Sequence, residues 1–476
     1  MSSTVRCGTM WKRPIWRVFC VLIATLASLV RESDCLDPYF SPPSQSSIPD
    51  FHHRTAQSLN QALWTDVSKE SFYAYDGSVS GSIPFSQQPA PPSNQLWQFT
   101  PSGNSGAWSQ ISPPALSNFS SLVRRTNGIY ASGGDLGFAL GGYQNSGTNT
   151  VYQSLGDYYE PPGLTVYNTT SQQWLNVSSA GYSNNGVCSE GTAHFVSMFG
   201  SAGLFLVLGG KVANGVLPGF DTVSIFDPTS QQWAVQEVSG SKPAPVFSHC
   251  AVGVAGDNDT YEIFLFGGRS NDLTSTISQG AVFVLSLPAF HWEKQDVIPD
   301  TGRYIHSCNV IGKRQMFVMG GRVLNASSNV ESVDSIADPW DKGIGVFDLT
   351  VMEWKDGYDA DAPAYTTPDT IKAWYQKNGP YPVSWSNSQV QDWFTKANTT
   401  ATVPPAATTQ KPHGSLLDVG SIAGSTFGGV VGLGLYIVLL VYIYRINRQK
   451  RQLRESNACN SLATRGENQI EQGEWR

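Results

Sequence analysis

The sequence predicts an all-β fold built from a repeated four-stranded unit. Three observations carry the prediction. A phrase returns along the chain: a short apolar run, a Gly pair, a gap, an aromatic residue, then Trp seven positions on. The apolar runs are four to six residues of Val, Leu, Ile, Phe and Met, which is strand length. Trp108, Trp174, Trp233, Trp292 and Trp354 recur every 59 to 66 residues, the size of four strands with one or two long loops. A unit that cannot bury its own apolar face must stack on its neighbours, so repetition outranks other fold signals.

The copies read FALGG then YNTTSQQW (Gly141, Gly142, Tyr167, Trp174), LFLVLGG then FDPTSQQW (Gly209, Gly210, Phe226, Trp233), and MFVMGG then FDLTVMEW (Gly320, Gly321, Phe347, Trp354). A fourth, IFLFGG (Gly267, Gly268), ends in LSLPAFHW, with Leu285 in the aromatic slot and Trp292 after it. The Gly pair ends a strand where backbone packs closely or takes positive φ. The aromatic lies on the next strand. An Asp-Pro-Thr-Ser or Asn-Thr-Thr-Ser turn reverses the chain, and Trp opens the strand after it. Aromatics at matching points fill the wedge between one sheet and the next.

This register resembles the kelch repeat, whose family fold is a β-propeller. The resemblance covers roughly residues 60 to 356. It weakens early: SFYAYDG has Asp76 and Gly77 where a Gly pair belongs, followed by LWQF and Trp108. Trp64, in QALWTDVSK, reads as the last strand of a further blade. The expectation is six blades, with five to seven open, followed by a single C-terminal transmembrane helix.

Composition limits the function. Charged residues are 14% of the chain, against about 25% in an ordinary soluble protein. The net charge of −7 leaves no basic patch for nucleic acid. Residues 1–30 read as a signal peptide, because Lys12, Arg13 and Arg17 precede the thirteen apolar residues Val18 to Val30. The propeller is expected over 36–356. An aromatic-rich segment, 357–396, is expected to pack on it. Within that segment Thr367 reads as an N-cap, Pro368 as the first helical residue, and Gly379-Pro380 as the stop.

Residues 397–418 are a Thr/Pro-rich stalk. The uncharged stretch 419–444 is long enough to span a bilayer. Arg445, Arg448, Lys450, Arg451 and Arg454 follow it, so the tail 445–476 is expected in the cytoplasm. That makes a type I plasma-membrane protein with its N-terminal domain outside. The sequons at Asn118, Asn168, Asn176, Asn258, Asn325 and Asn398 all precede the span. Cys188, Cys250 and Cys308, with Cys35, allow up to two disulfides whose pairing stays open. Gly420, Gly424, Gly428 and Gly432 form a stripe suited to a homodimer contact. The whole arrangement resembles the single-pass membrane kelch proteins of filamentous fungi, which implies a cell-surface role.

A catalyst must also be weighed, since kelch-type propellers occur in the galactose-oxidase group of copper enzymes. His194, His249 and His306 fall near one register on strands entering their blades, where a metal could sit. Hydrogen bonding to neighbouring backbone is the plainer role. No Tyr-Cys-His ligand set can be carried over, so no catalytic, metal or cofactor residue is assigned and no enzyme activity is expected. Arg124, Arg125 and Arg303 precede entering strands and read as salt-bridged scaffolding.

Two long insertions follow Gly pairs, Tyr143 to Gly163 and Arg322 to Gly343. Both leave the repeat at the same point and so share a face. Loops on a rigid scaffold are where recognition concentrates. Tyr152, Tyr158, Tyr159 and Trp340 are the candidate contacts for a protein or glycan ligand. Asp334, Asp338 and Asp341 are an acidic set to test for Ca²⁺, with a solvated loop as the default. The function expected is a binding module for adhesion, wall association or sensing; the alternative is a secreted-side enzyme of the galactose-oxidase-like class.

Overall fold

The computed structural model describes residues 58–395, apart from 67–68, 80–89, 103–104, 114–117, 153–156, 180, 184, 272–279, 296–301, 324–337, 339, 341–342 and 383. The signal segment, the stalk, the span 419–444 and the tail lie outside the described residues. Among the described residues no helix is long and apolar enough to cross a membrane.

Five antiparallel four-stranded sheets follow one another along the chain. Blade 1 holds β1 (Ala62–Asp66), β2 (Ser71–Tyr75), β3 (Leu96–Ser102) and β4 (Ser105–Ile111). Blade 2 holds β5 (Ile129–Gly133), β6 (Leu136–Leu140), β7 (Leu164–Asn168) and β8 (Trp174–Val177). Blade 3 holds β9 (Thr192–Val196), β10 (Leu204–Leu208), β11 (Thr222–Asp227) and β12 (Gln232–Glu237). Blade 4 holds β13 (Cys250–Ala255), β14 (Tyr261–Phe266), β15 (Val282–Leu287) and β16 (His291–Lys294), and Ser239–Gly240 adds a short parallel strand at its edge. Blade 5 holds β17 (Ser307–Ile311), β18 (Gln315–Met319), β19 (Ile344–Asp348) and β20 (Glu353–Lys355). The first strands of successive blades lie side by side, so they are the inner strands.

The blade count is therefore five among the described residues, a correction to the six expected. The extra count came from Trp64. It lies on β1, the inner strand of blade 1, not on an outer strand. Its ring is fully buried against Tyr75, Tyr167 and Trp174, and its Nε1 donates to Phe138 O of blade 2 at 3.0 Å. A large aromatic can wedge two blades from either edge of the sheet, so Trp alone does not identify a strand.

The long apolar runs have a simple cause: both faces of a blade are covered. Along β10, Leu204, Leu206 and Leu208 face blade 4, while Phe205 and Val207 face blade 2. Along β14, Ile263 and Leu265 face blade 3, while Phe264 and Phe266 face blade 5. Period-two alternation thus serves two cores instead of one core and solvent. In every blade the slot residue pairs directly with its Trp across the outer two strands: Phe99 with Trp108, Tyr167 with Trp174, Phe226 with Trp233, Leu285 with Trp292, Phe347 with Trp354.

The Gly pairs join blades. The first Gly takes φ of 59 to 71° and the second 79 to 95°. The second donates its N–H to the next blade: Gly142 to Cys188 O at 2.7 Å, Gly210 to Val246 O at 3.0 Å, Gly268 to Arg303 O at 2.9 Å. A Cβ on Gly267 would strike Arg303 O and the His306 ring, so only glycine fits. Blade 1 solves the same problem with Asp76 at φ 61°, a conformation Asp tolerates better than most. Asp76 Oδ1 accepts from Arg125 N at 3.2 Å, its Oδ2 lies 3.7 Å from Arg125 Nε, and Gly77 N donates to Arg125 O at 2.6 Å.

Cys250 and Cys308 form a disulfide between inner strands β13 and β17, and Cys188 is a buried free thiol. After β20 the chain crosses the turns of blades 5, 4 and 3. It carries α1 (Asp369–Asn378) and α2 (Ser388–Thr395). Ile371 of α1 joins the core between blades 4 and 5, and Val390, Trp393 and Phe394 of α2 join the core between blades 3 and 4. Gly379 caps α1 at φ 86°, its N–H bonded to Tyr375 O. The start differs from expectation: Pro368 takes the N-cap position, and the Thr367 hydroxyl accepts from Asp257 N of blade 4 at 2.9 Å. A tertiary donor there outcompetes the local cap.

Candidate ligand-binding face

Each blade is entered through a short connector whose second-last residue sits at positive φ: Asn60, Asn127, Glu190, Ser248 and Ile305, at 52 to 55°. These residues ring the axis and are tied by backbone bonds. Glu190 N donates to Asn127 O at 2.9 Å, Ser248 N to Glu190 O at 2.7 Å, and Ile305 N to Ser248 O at 2.9 Å. Side chains reinforce the mouth. The Glu190 carboxylate meets Lys211 Nζ at 2.9 Å and accepts from Ser248 Oγ at 2.7 Å, while Lys211 lies over the Phe247 ring. No sequence signal marks this register, because the five residues share a backbone conformation and no side-chain type.

The Gly pairs open on this same face, and the described bases of both long insertions leave from it. The blade 2 insertion is pinned at its base. Tyr143 bridges to Thr126, and Gln144 and Tyr159 exchange two backbone hydrogen bonds of 2.7 and 3.0 Å. Gln144 Nε2 donates to Arg124 O at 3.2 Å, and Gly147 O receives Val79 N of blade 1 at 2.9 Å. On this held loop Tyr158 is 63% exposed, Tyr159 50% and Val151 74%, while Tyr152 is half-buried. Val123, Val216, Ile305 and Ile344 are further exposed apolar residues on the face.

Trp340 is placed differently. Its ring is half-buried, stacked on Phe266, tilted against Trp354, and covered by the Arg303 guanidinium at 3.5 Å. Arg303 is fully buried and grips Asp338 with two hydrogen bonds of 3.0 and 3.2 Å. Asp338 is thus engaged by an arginine; Asp334 and Asp341 lie outside the described residues. Arg124 and Arg125 are buried too: Arg124 Nε donates to Gly77 O at 2.6 Å and Arg125 Nη2 to Thr165 Oγ1 at 2.9 Å.

The three histidines are wedged between blades. His249 Nε2 meets Thr192 Oγ1 and His194 Nε2 meets Tyr261 Oη, both at 3.0 Å. Burial pushes His194 and His249 down to about 4 and His306 to about 3, so all three rings are neutral at neutral pH. Among the described residues no three His, Cys, Asp or Glu side chains converge as metal ligands.

Of the sequons, Asn176 and Asn258 present exposed side chains. The Asn168 carboxamide instead holds a turn: its oxygen accepts from Thr170 N and Ser171 N, and its nitrogen donates to Asp135 at 2.8 Å. Asp227 and Asp348 hold the matching turns in blades 3 and 5. The side chains of Asn118, Asn325 and Asn398 lie outside those described.

These features define a β-propeller scaffold with a loop-bearing face around its axis. Residues 193–365, which span blades 3 to 5 and the first part of the segment beyond, match the family model of the KLHDC2/KLHL20/DRC7 Kelch-repeats domain. No curated protein matches the chain. The matched repeats and the five-bladed architecture make this a kelch-repeat propeller protein, and kelch propellers in general are protein-interaction modules.

Proposed function

We propose that this chain is a membrane-tethered, extracellular kelch propeller that binds a protein ligand at the cell surface, through the face carrying the connectors and the blade 2 insertion. The observation that carries the reading is the pair Tyr158 and Tyr159, exposed on a loop whose base is fixed by backbone bonds. Rigid, half-wet tyrosines offer contact area at small entropic cost. The exposed Val151 on the same loop favours a protein surface over a sugar. The opposite edge of blades 3 to 5 is already covered by α1 and α2. The Cys250–Cys308 disulfide suits an oxidising compartment, as do the signal segment and sequons. The span 419–444 supplies the tether, and the stripe Gly420, Gly424, Gly428, Gly432 a contact with a second copy.

The test places a photo-crosslinking residue at Tyr158 or Tyr159 in cell-displayed protein, with Tyr381 on the covered side as control. A defined adduct from the first two sites only supports the reading; equal labelling from Tyr381 overturns it. Loss of the adduct after enzymatic deglycosylation of the cell surface would identify a glycan ligand instead.

A further inference from the structure

Glu262 is fully buried on β14, beneath the segment that crosses the turns of blade 4. Its Oε1 accepts from Ser286 Oγ and its Oε2 from Tyr365 Oη, each at 3.1 Å. Ser286 Oγ also meets Tyr375 Oη of α1 at 2.9 Å. Two strap tyrosines thus close over one carboxyl group, directly and through a serine. Among the described residues its partners are hydroxyls and no cation pairs with it. Every charged or titratable neighbour is accounted for: Lys372 of α1 pairs with Asp257 at 3.1 Å, Tyr261 meets His194, and His291 on β16 bonds Glu293 and stacks under Trp374 at 4.2 Å.

We propose that the segment Tyr365–Thr395 is a proton-linked strap, docked on blade 4 while Glu262 is neutral and loosened when Glu262 ionises. Removing Tyr365, Thr367 and Tyr375 opens the carboxyl group to water, where an ionised form is solvated; beneath the strap it is not. Burial accordingly raises the docked carboxyl to about 7. Its docked value lies above its free one. Docking is therefore strongest below the ordinary carboxylate range and weakens as pH climbs through about 7. His291 acts in the opposite sense: burial lowers it, so its protonation at lower pH opposes the docked state.

Hydrogen exchange on the purified full-length chain tests this. The reporters are Lys372 N, Gly379 N and Gly200 N, which bond Pro368 O, Tyr375 O and Trp393 O. Between pH 5.5 and 8.0 Glu262 alone lowers their protection factors about 30-fold, and His291 offsets part of that fall. In Glu262→Gln, which keeps an acceptor and cannot ionise, the fall is lost and only the opposite, smaller rise with pH set by His291 remains. In His291→Gln the fall persists. Unchanged protection in the wild type, a fall that persists in Glu262→Gln, or its loss in His291→Gln overturns the proposal.

Discussion

Opening the Cys250–Cys308 bridge tests the ring most directly. The bond joins inner strands of blades 4 and 5 across a separation of 58 residues, which encloses the whole of blade 4. Closing a loop of that size removes roughly 14 cal/mol/K of unfolded-chain entropy, worth about 4 kcal/mol at room temperature. For the roughly 280 described residues the unfolding entropy near the midpoint is about 0.6 kcal/mol/K. The double variant Cys250→Ala/Cys308→Ala is therefore expected to unfold about 7 °C below the wild type, by circular dichroism. Alkylation of the unfolded, unreduced chain is expected to label Cys188 and to spare Cys250 and Cys308. A midpoint within 1 °C of wild type, or labelling of Cys250 and Cys308, would refute the reasoning.

Four further outcomes follow from the blade junctions and turns. Gly267→Ala adds a Cβ against Arg303 O and the His306 ring at φ 71°, and is expected to cost about 2–4 kcal/mol in denaturant titration. Gly134→Ala, at φ 60° with open space around it, is expected to cost about 1 kcal/mol. Asp338→Ala leaves the buried Arg303 without its carboxylate; with Asp338 partly solvated, about 2 kcal/mol is expected, and the variant is expected to shift the near-ultraviolet signal of Trp340. Ile305→Asn is expected to stabilise by about 1 kcal/mol, because a β-branched residue at φ 55° is replaced by the type that blades 1 and 2 carry there.

The propeller was legible because its commonest requirement leaves a sequence mark. The Gly pairs of blades 2, 3 and 4 sit where a side chain would meet the next blade, and each slot residue pairs with the Trp that follows it. The blade count was misjudged at Trp64, since burial between blades looks the same from an inner as from an outer strand. Asp76 weakened the mark of the first junction, because an Asp at positive φ held by Arg125 does there what the first glycine of a pair does elsewhere. The ligand face was legible in part. Insertion length marked Tyr158 and Tyr159, which are exposed, but aromatic identity alone could not separate them from Trp340, whose place is set by Arg303 and Phe266. The mouth residues left no mark, because a shared backbone twist imposes no shared side chain. Glu262 gave none either: its burial depends on Tyr365 and Ser286, distant in sequence.

The donation from the glycine doublets of blades 2, 3 and 4 to the following connector makes those junctions interchangeable parts. Excising or duplicating one of the middle blades would leave a donor on one side still facing an acceptor on the other, so such a chain can change length by whole repeats without redrawing its seams. The first seam is the exception. Asp76 and Arg125 work as lock and key, and a blade shuffled into either position would arrive with the wrong half.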